Sequence, residues 1–142
     1  MWQLSIDQAK KFYETHDSAH GFSHVMRVYR LAMQIGKKEG ANLDILHPAA
    51  LLHDVESSMF DKAKRKQHHI LSAVFAGEVL AEQGWDDAGI QAVQHCIRAH
   101  RYRDERENPQ TIEAKVLFDA DKLDSIGAIG AARALAVSVE KG

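Results

Sequence analysis

Residues 49–56 read AALLHDVE, and the reading of this run decides the fold. Four apolar residues lead directly into His53 and Asp54, with Glu56 two places later. Burying an ionised carboxylate is costly unless it is paired or bound to a cation. As the end of a helix, the run sets Ala49 and His53 four residues apart, and likewise Ala50 and Asp54. Both polar groups then extend an inward face. A strand would need β-branched alternation, which is missing here and elsewhere in the chain. The helical reading therefore requires the rest of the sequence to bring a partner to His53 and Asp54.

Outward from this run, the chain reads as helical throughout. Ser5-x-x-Gln8 matches a capping box and predicts a first helix over 5–16. A second spans about 22–39 and stops at Gly40. The third lies within 44–56, interrupted or started by Pro48. A fourth runs from about 68 to 83 and ends at Gly84. A fifth begins at Asp86 or Asp87 and reaches about 101. After a polar loop over 102–110, a sixth starts beyond Thr111, and a seventh follows from about Ile126. No repeat, low-complexity tract or linker interrupts them. The expected fold is all-α, a compact bundle of about six or seven helices in one domain, 1–142.

The 142 residues suffice for a real core, and 45% hydrophobic with 27% charged residues is a globular balance. A net charge of −2 gives no general pull toward nucleic acid or an anionic membrane. No apolar run reaches the roughly 20 residues that span a bilayer. The N-terminus lacks a signal-peptide layout. The single cysteine, Cys96, excludes an internal disulfide and fits a reducing cytoplasm.

Helical spacing then sorts the polar residues. His24 continues the face of Val28, Leu31 and Ile35. Asp121 and Asp124 continue that of Ala114 and Leu117. His69 joins Ala73, Ala76 and Leu80, and His100 joins Ile90, Val93 and Ile97. One such residue is ordinarily a satisfied core histidine or capped carboxylate. Five helices that each add one to an inward stripe need a shared compensating charge. A divalent cation supplies it in a bundle whose helices project ligands inward. His16, His47, His68 and His95 fall off these stripes and are expected at the surface or at caps. A short turn could bring His20 near His24.

His24, the His53-Asp54 pair and Asp121, with the flanks SHVMRV, AALLHD and FDADKLDSIGAIGAAR, resemble the H…HD…D pattern of the HD-domain metal-dependent phosphohydrolase superfamily. The last stretch is similar to a subset of small bacterial predicted hydrolases. The resemblance covers roughly residues 20–135. It implies that His24, His53, Asp54 and Asp121 bind one divalent metal: manganese, magnesium, cobalt, nickel or iron. His69 and His100 stand where relatives either hold a second metal or bind the substrate phosphate, the latter being favoured. Some relatives use a glutamate shortly after the HD pair in catalysis, often at the third position, which makes Glu56 a catalytic candidate. Here that position is Ser57 and the glutamate is Glu56, which argues against guanosine tetraphosphate as substrate. The chain stops just past Ala136–Glu140, sooner than many relatives, so a C-terminal segment that helps close the site is missing or was cut.

The implied chemistry is hydrolysis of a phosphate ester or anhydride, most of all of a nucleotide, by metal-activated water. Asp54 or Asp124 could take the proton, unless Asp124 is a packing carboxylate paired with Arg27 or Arg133. Arg27 is a candidate phosphate donor. So is the loop DKAKRKQHH, with Lys64 and Arg65, unless it is simply solvated. The expected partner is a small anionic phosphorylated substrate, with neither nucleic acid nor membrane, and the oligomeric state stays open. Gly127 and Gly130 would let two helices approach closely. Cys96 would fill space, and Trp2, Trp85 and Phe60 would pack. Two rivals stand beside the hydrolase: a di-iron HD-type oxygenase using six ligands, and a catalytically silent nucleotide-binding module.

Overall fold

The computed structural model of the protein describes residues 4–16, 21–57, 62–101 and 107–141, without the side chains of 62–65 and 128–141. Among the described residues there are six helices and no strand. They are α1 (Ile6–Thr15), α2 (Phe22–Glu39), α3 (Leu43–Leu52), α4 (Lys62–Glu82), α5 (Asp87–Ala99) and α6 (Ile112–Lys141). α3 is the central element and touches the other five. Its Leu46 and Ala49–Leu52 are fully buried, as expected of a helix that is apolar all round.

Most boundaries follow the sequence signals. Ser5 and Gln8 form the capping box of α1. Gly40 ends α2 in the left-handed conformation, φ 74°. Asn42 and Asp86 cap α3 and α5 through their side chains, and Thr111 Oγ1 accepts from the amide of Ala114 at the start of α6.

Five expectations are corrected. The sixth and seventh helices are one continuous α6, because a glycine costs only about 1 kcal/mol in a helix rich in strong formers such as AARALA. Gly127 faces open space, so no close helix contact requires it, and Gly130 lies outside the described side chains. The close approach occurs at Gly36 instead, where a Cβ would stand 2.6 Å from Leu46. The basic stretch expected as a loop is the first turn of α4, since Lys, Ala, Arg and Gln are themselves good helix formers. Pro48 neither starts nor interrupts α3 but lies inside it.

The fifth correction concerns the end of α3, at Leu52 rather than 56. Its last carbonyls are taken by side chains, not by the next turn of helix. Ala50 O accepts from His53 Nδ1 at 2.7 Å, and Leu51 O accepts from the Tyr13 hydroxyl at 2.8 Å. His53 is therefore the C-cap and Asp54 begins a turn.

This arrangement gives the bundle two ends. The turns at 40–42, 83–86 and 111–113 gather at one, where Asn42, Gly84, Trp85, Asp86 and Glu113 share the wall of a cavity of about 690 Å³. At the other end lie the starts of α2 and α4 and the ends of α3 and α5. The ten residues of α3 separate the two by about 15 Å.

Candidate metal centre

Each polar residue of the site reaches it from a helix terminus or its first turns, except those on α6. His24 is the third residue of α2, His53 and Asp54 follow α3, His68 and His69 lie in the second turn of α4, and His100 caps α5. Asp121 and Asp124 sit one turn apart on α6. Among the described residues, donor atoms of His24, His53 and Asp54 all lie within 4.8 Å of one another. Asp121 joins them through Oδ1, which is 2.9 Å from His24 Nε2 and 3.6 Å from His53 Nε2. Ligands of a six-coordinate cation at about 2.1 Å stand about 3 Å apart when adjacent and about 4 Å when opposite. The distances from Asp121 to the two imidazoles suit neighbouring positions of such a shell.

Tautomers support the same fit. His53 is fully buried, and its Nδ1 donates to Ala50 O. Its Nε2 is thereby left with a lone pair, is buried, and has no hydrogen-bond partner. An orphaned buried nitrogen aimed at two carboxylate-bearing elements is costly in a core, and a cation answers it. Behind His24, Nδ1 donates to Asp124 Oδ2 at 2.7 Å, while Arg27 Nε holds Asp124 Oδ1 at 2.9 Å.

Charge follows geometry. The hydrogen bond to Asp121 raises His24 to about 9, against the opposing effect of burial. Burial alone would raise Asp121, but the hydrogen bond from His24 and the nearby His53 ring hold it well below the usual carboxylate range. Asp54 behaves alike: burial works upward, and the His68 hydrogen bond with the nearby rings of His53, His68 and His100 outweighs it. Burial, reinforced by His53, pushes His100 down to about 4. Asp54 and Asp121 are thus ionised at neutral pH, and His100 is neutral.

A second group shares Asp54. It consists of Asp54, His68 and His100, again within 4.8 Å among the described residues. His68 Nε2 is 3.0 Å from Asp54 Oδ1, and its ring lies 5.4 Å from that of His100. The expectation that His68 points away to the surface is therefore corrected. His69 is buried, as its stripe implies, yet this group contains His68 in its place. A stripe test scores burial, whereas a residue on the flank of a helix's first turns can reach past its end into a site. No signal short of tertiary placement separates two adjacent histidines.

Other candidates land elsewhere. The Glu56 carboxylate is 3.0 Å from His16 Nε2, on the α1 side of the turn. Arg27 is committed to Asp124, one of the two partners weighed for that carboxylate. Arg101 donates to Lys66 O. His47 bonds Tyr29 and Leu4 O, and His95 bonds Glu107 and Gln110 N, so both are structural rather than exposed. Cys96 is buried, which pushes its thiol up to about 12, as befits a space-filling residue. His20, Trp2, Phe60 and Arg103, with the side chains of Lys64, Arg65 and Arg133, lie outside the described residues.

The all-α bundle and its convergent histidines and aspartates agree with the match of residues 21–126 to the HD domain model. The chain belongs to the HD domain family. It is 38% identical over 128 residues to YpgQ of Bacillus subtilis (strain 168), an uncharacterised protein, covering 88% of this chain and 60% of YpgQ. It thus spans less than two thirds of that relative's length. The crystal structure of a predicted HD superfamily hydrolase from an uncultured Thermotogales bacterium superposes with a TM-score of 0.69 at 30% identity, over 92% of this chain and 74% of that one. The crystal structure of YpgQ in complex with ADP gives 0.66 at 34% identity, over 96% and 66% respectively. No helix among the described residues is long and apolar enough to cross a membrane.

Proposed function

We propose that the protein is a metal-dependent phosphohydrolase that cleaves a phosphate ester or anhydride of a nucleotide, acting in the cytoplasm as a single HD domain. The observation that carries this reading is the buried, unpartnered Nε2 of His53, held within reach of His24, Asp54 and Asp121. These four residues would hold one divalent cation, manganese, magnesium, cobalt, nickel or iron. Such a cation would polarise a phosphoryl oxygen and make water a better nucleophile. The chain's own groups would do the rest. Asp54, kept ionised and hydrogen-bonded to His68 Nε2, can accept a proton on its other oxygen. Asp124 keeps a proton on His24 Nδ1 and so orients Nε2 inward. His100, neutral with its proton on Nδ1 directed to Ile97 O, offers the Nε2 lone pair to a second cation; to bind the substrate phosphate through Nε2 it would have to take up a second proton. The ADP complex of YpgQ supports a nucleoside phosphate as the ligand class.

The test is a phosphate-release screen over nucleoside mono-, di- and triphosphates and simple phosphoesters, with each of the five metals. Release should require metal and vanish in Asp54→Ala. Equal turnover by the metal-stripped protein would exclude the mechanism.

The two donor groups sharing Asp54 favour a second reading, a two-cation centre of the oxygenase kind. Two irons per chain, with an iron-dependent absorption band, would select it over the hydrolase.

A further inference from the structure

The family match begins at residue 21, so α1 (Ile6–Thr15) lies outside it. Yet α1 makes the contacts that shape the turn presenting His53 and Asp54. We infer that α1 is a positioning element of the site: the Tyr13 hydroxyl fixes the backbone of the His53-Asp54 pair, and His16 fixes Glu56 behind it. This inference rests on the proposed cation site.

Tyr13 is 1% exposed. Its hydroxyl donates to Leu51 O at 2.8 Å and accepts from the amide of Asp54 at 3.3 Å. In a continuing helix, Asp54 N–H would go to Ala50 O and Leu51 O would accept from residue 55. Here His53 Nδ1 occupies Ala50 O, and one phenol replaces both lost partners. The chain leaves the helix at the residues whose side chains must turn toward the site. The Tyr13 ring also packs edge-on against Phe22, centroids 5.2 Å apart, two residues before His24. One side chain therefore bridges the segments carrying three of the four proposed ligands.

Three residues later, at the C-cap of α1, His16 Nδ1 donates to Phe12 O at 2.8 Å, and Nε2 meets Glu56 Oε1 at 3.0 Å. Phe75 of α4 seats both residues of α1, 5.2 Å from the Phe12 ring and 4.5 Å from that of His16. The Glu56 amide is fixed in turn by Ser72 Oγ at 3.1 Å. The turn over 53–56 is thus held from α1 and α4 at Asp54 and Glu56. A carbonyl and an amide stripped of the phenol would have to find new partners, and the turn would shift to provide them.

The experiment measures Mn²⁺ affinity of the metal-stripped 142-residue protein by titration calorimetry, together with Tm. Tyr13→Phe should weaken Mn²⁺ binding at least tenfold. The control Tyr29→Phe, which removes the hydroxyl bonded to His47 at 2.8 Å, should lower Tm comparably and keep wild-type affinity. Affinity within twofold of wild type in Tyr13→Phe, or equal weakening in Tyr29→Phe, would overturn the inference. A second measurement needs no variant. Coupling is reciprocal, so Mn²⁺ should slow amide hydrogen exchange across Ala9–His16 in the wild-type protein. Unchanged exchange in α1 despite Mn²⁺ binding would sink the positioning role and leave the metal centre standing. No Mn²⁺ uptake by wild type would remove both.

Discussion

The two ends of the bundle use the same helices and are closed in opposite ways. At the turn end, each terminus is capped by a residue next to it in the chain: Gly40, Asn42, Gly84, Asp86 and Thr111. At the site end the partners are distant. Leu51 O is met by Tyr13, 38 residues away, and His24 by Asp121 and Asp124, 97 and 100 residues away. Local closure satisfies the backbone, and the carboxylates there, Asp44, Asp86 and Glu113, remain exposed or half-buried. Closure by distant side chains gathers imidazoles and carboxylates that, by themselves, cost free energy to bury. The turn end therefore serves stability, and the site end spends some of it on holding charge ready.

The strongest way to break this contrast is His53→Ala or Asp54→Ala. Either should take divalent-metal binding and phosphate release together below detection, with the protein still folded by circular dichroism. Retained turnover with lost metal would separate the two.

Asp124→Asn comes next. It keeps the shape but weakens the hold on His24 Nδ1, and should lower Mn²⁺ affinity about 10–100-fold, the usual effect of disturbing a residue behind a metal ligand. An unchanged calorimetric Kd would reduce Asp124 to an ordinary packing group.

Acid gives a graded test. Both nitrogens of His24 face carboxylates, so at neutral pH the metal-free ring carries two protons, and the one on Nε2 must leave for a cation to bind. Below about 9, where His24 titrates, affinity should fall about tenfold per pH unit. Asp54 and Asp121 add nothing, being ionised throughout that range. The metal-free fold should respond in the opposite sense. A histidine raised above its unfolded value contributes stability that is complete below about 6.5 and lost as pH rises through about 9. Calorimetric Kd and metal-free Tm at pH 6.5, 7.5 and 8.5 would reveal both slopes. A pH-independent Kd would rule out ligation by His24.

The smallest effect belongs to the other end. Gly84 has φ 84°, so Gly84→Ala should cost about 1–2 kcal/mol and a few degrees of Tm. Mn²⁺ affinity should not move. A change in affinity would mean that the two ends are coupled through α3.

The sequence made the helices legible because their signals are local. The Ser5/Gln8 box, Gly40 and Asp86 act within four residues of themselves, and the faces of Val28, Ile97 and Leu117 repeat with the helical period. It also singled out His24, His53, Asp54 and Asp121, since each prolongs an apolar stripe where solvent would otherwise be expected. The end of α3 was not legible. AALLHDVE reads as unbroken helix, and the phenol that stops it lies on α1. Nor was the choice of His68 beside Asp54, because adjacent histidines differ only by a rotation about α4 that packing sets.

By itself, then, the chain determined that it would be helical, roughly where each helix stops, and which polar residues face inward. Those properties follow from backbone hydrogen bonding and from a period of 3.6 residues, which neighbours along the chain enforce. Only the tertiary structure decided that His53 Nε2 is buried without a partner, that Asp124 stands behind His24, and that α1 shapes the turn before the site. Such contacts join residues 38 to 100 positions apart. Their energies depend on burial and distance that no local pattern encodes.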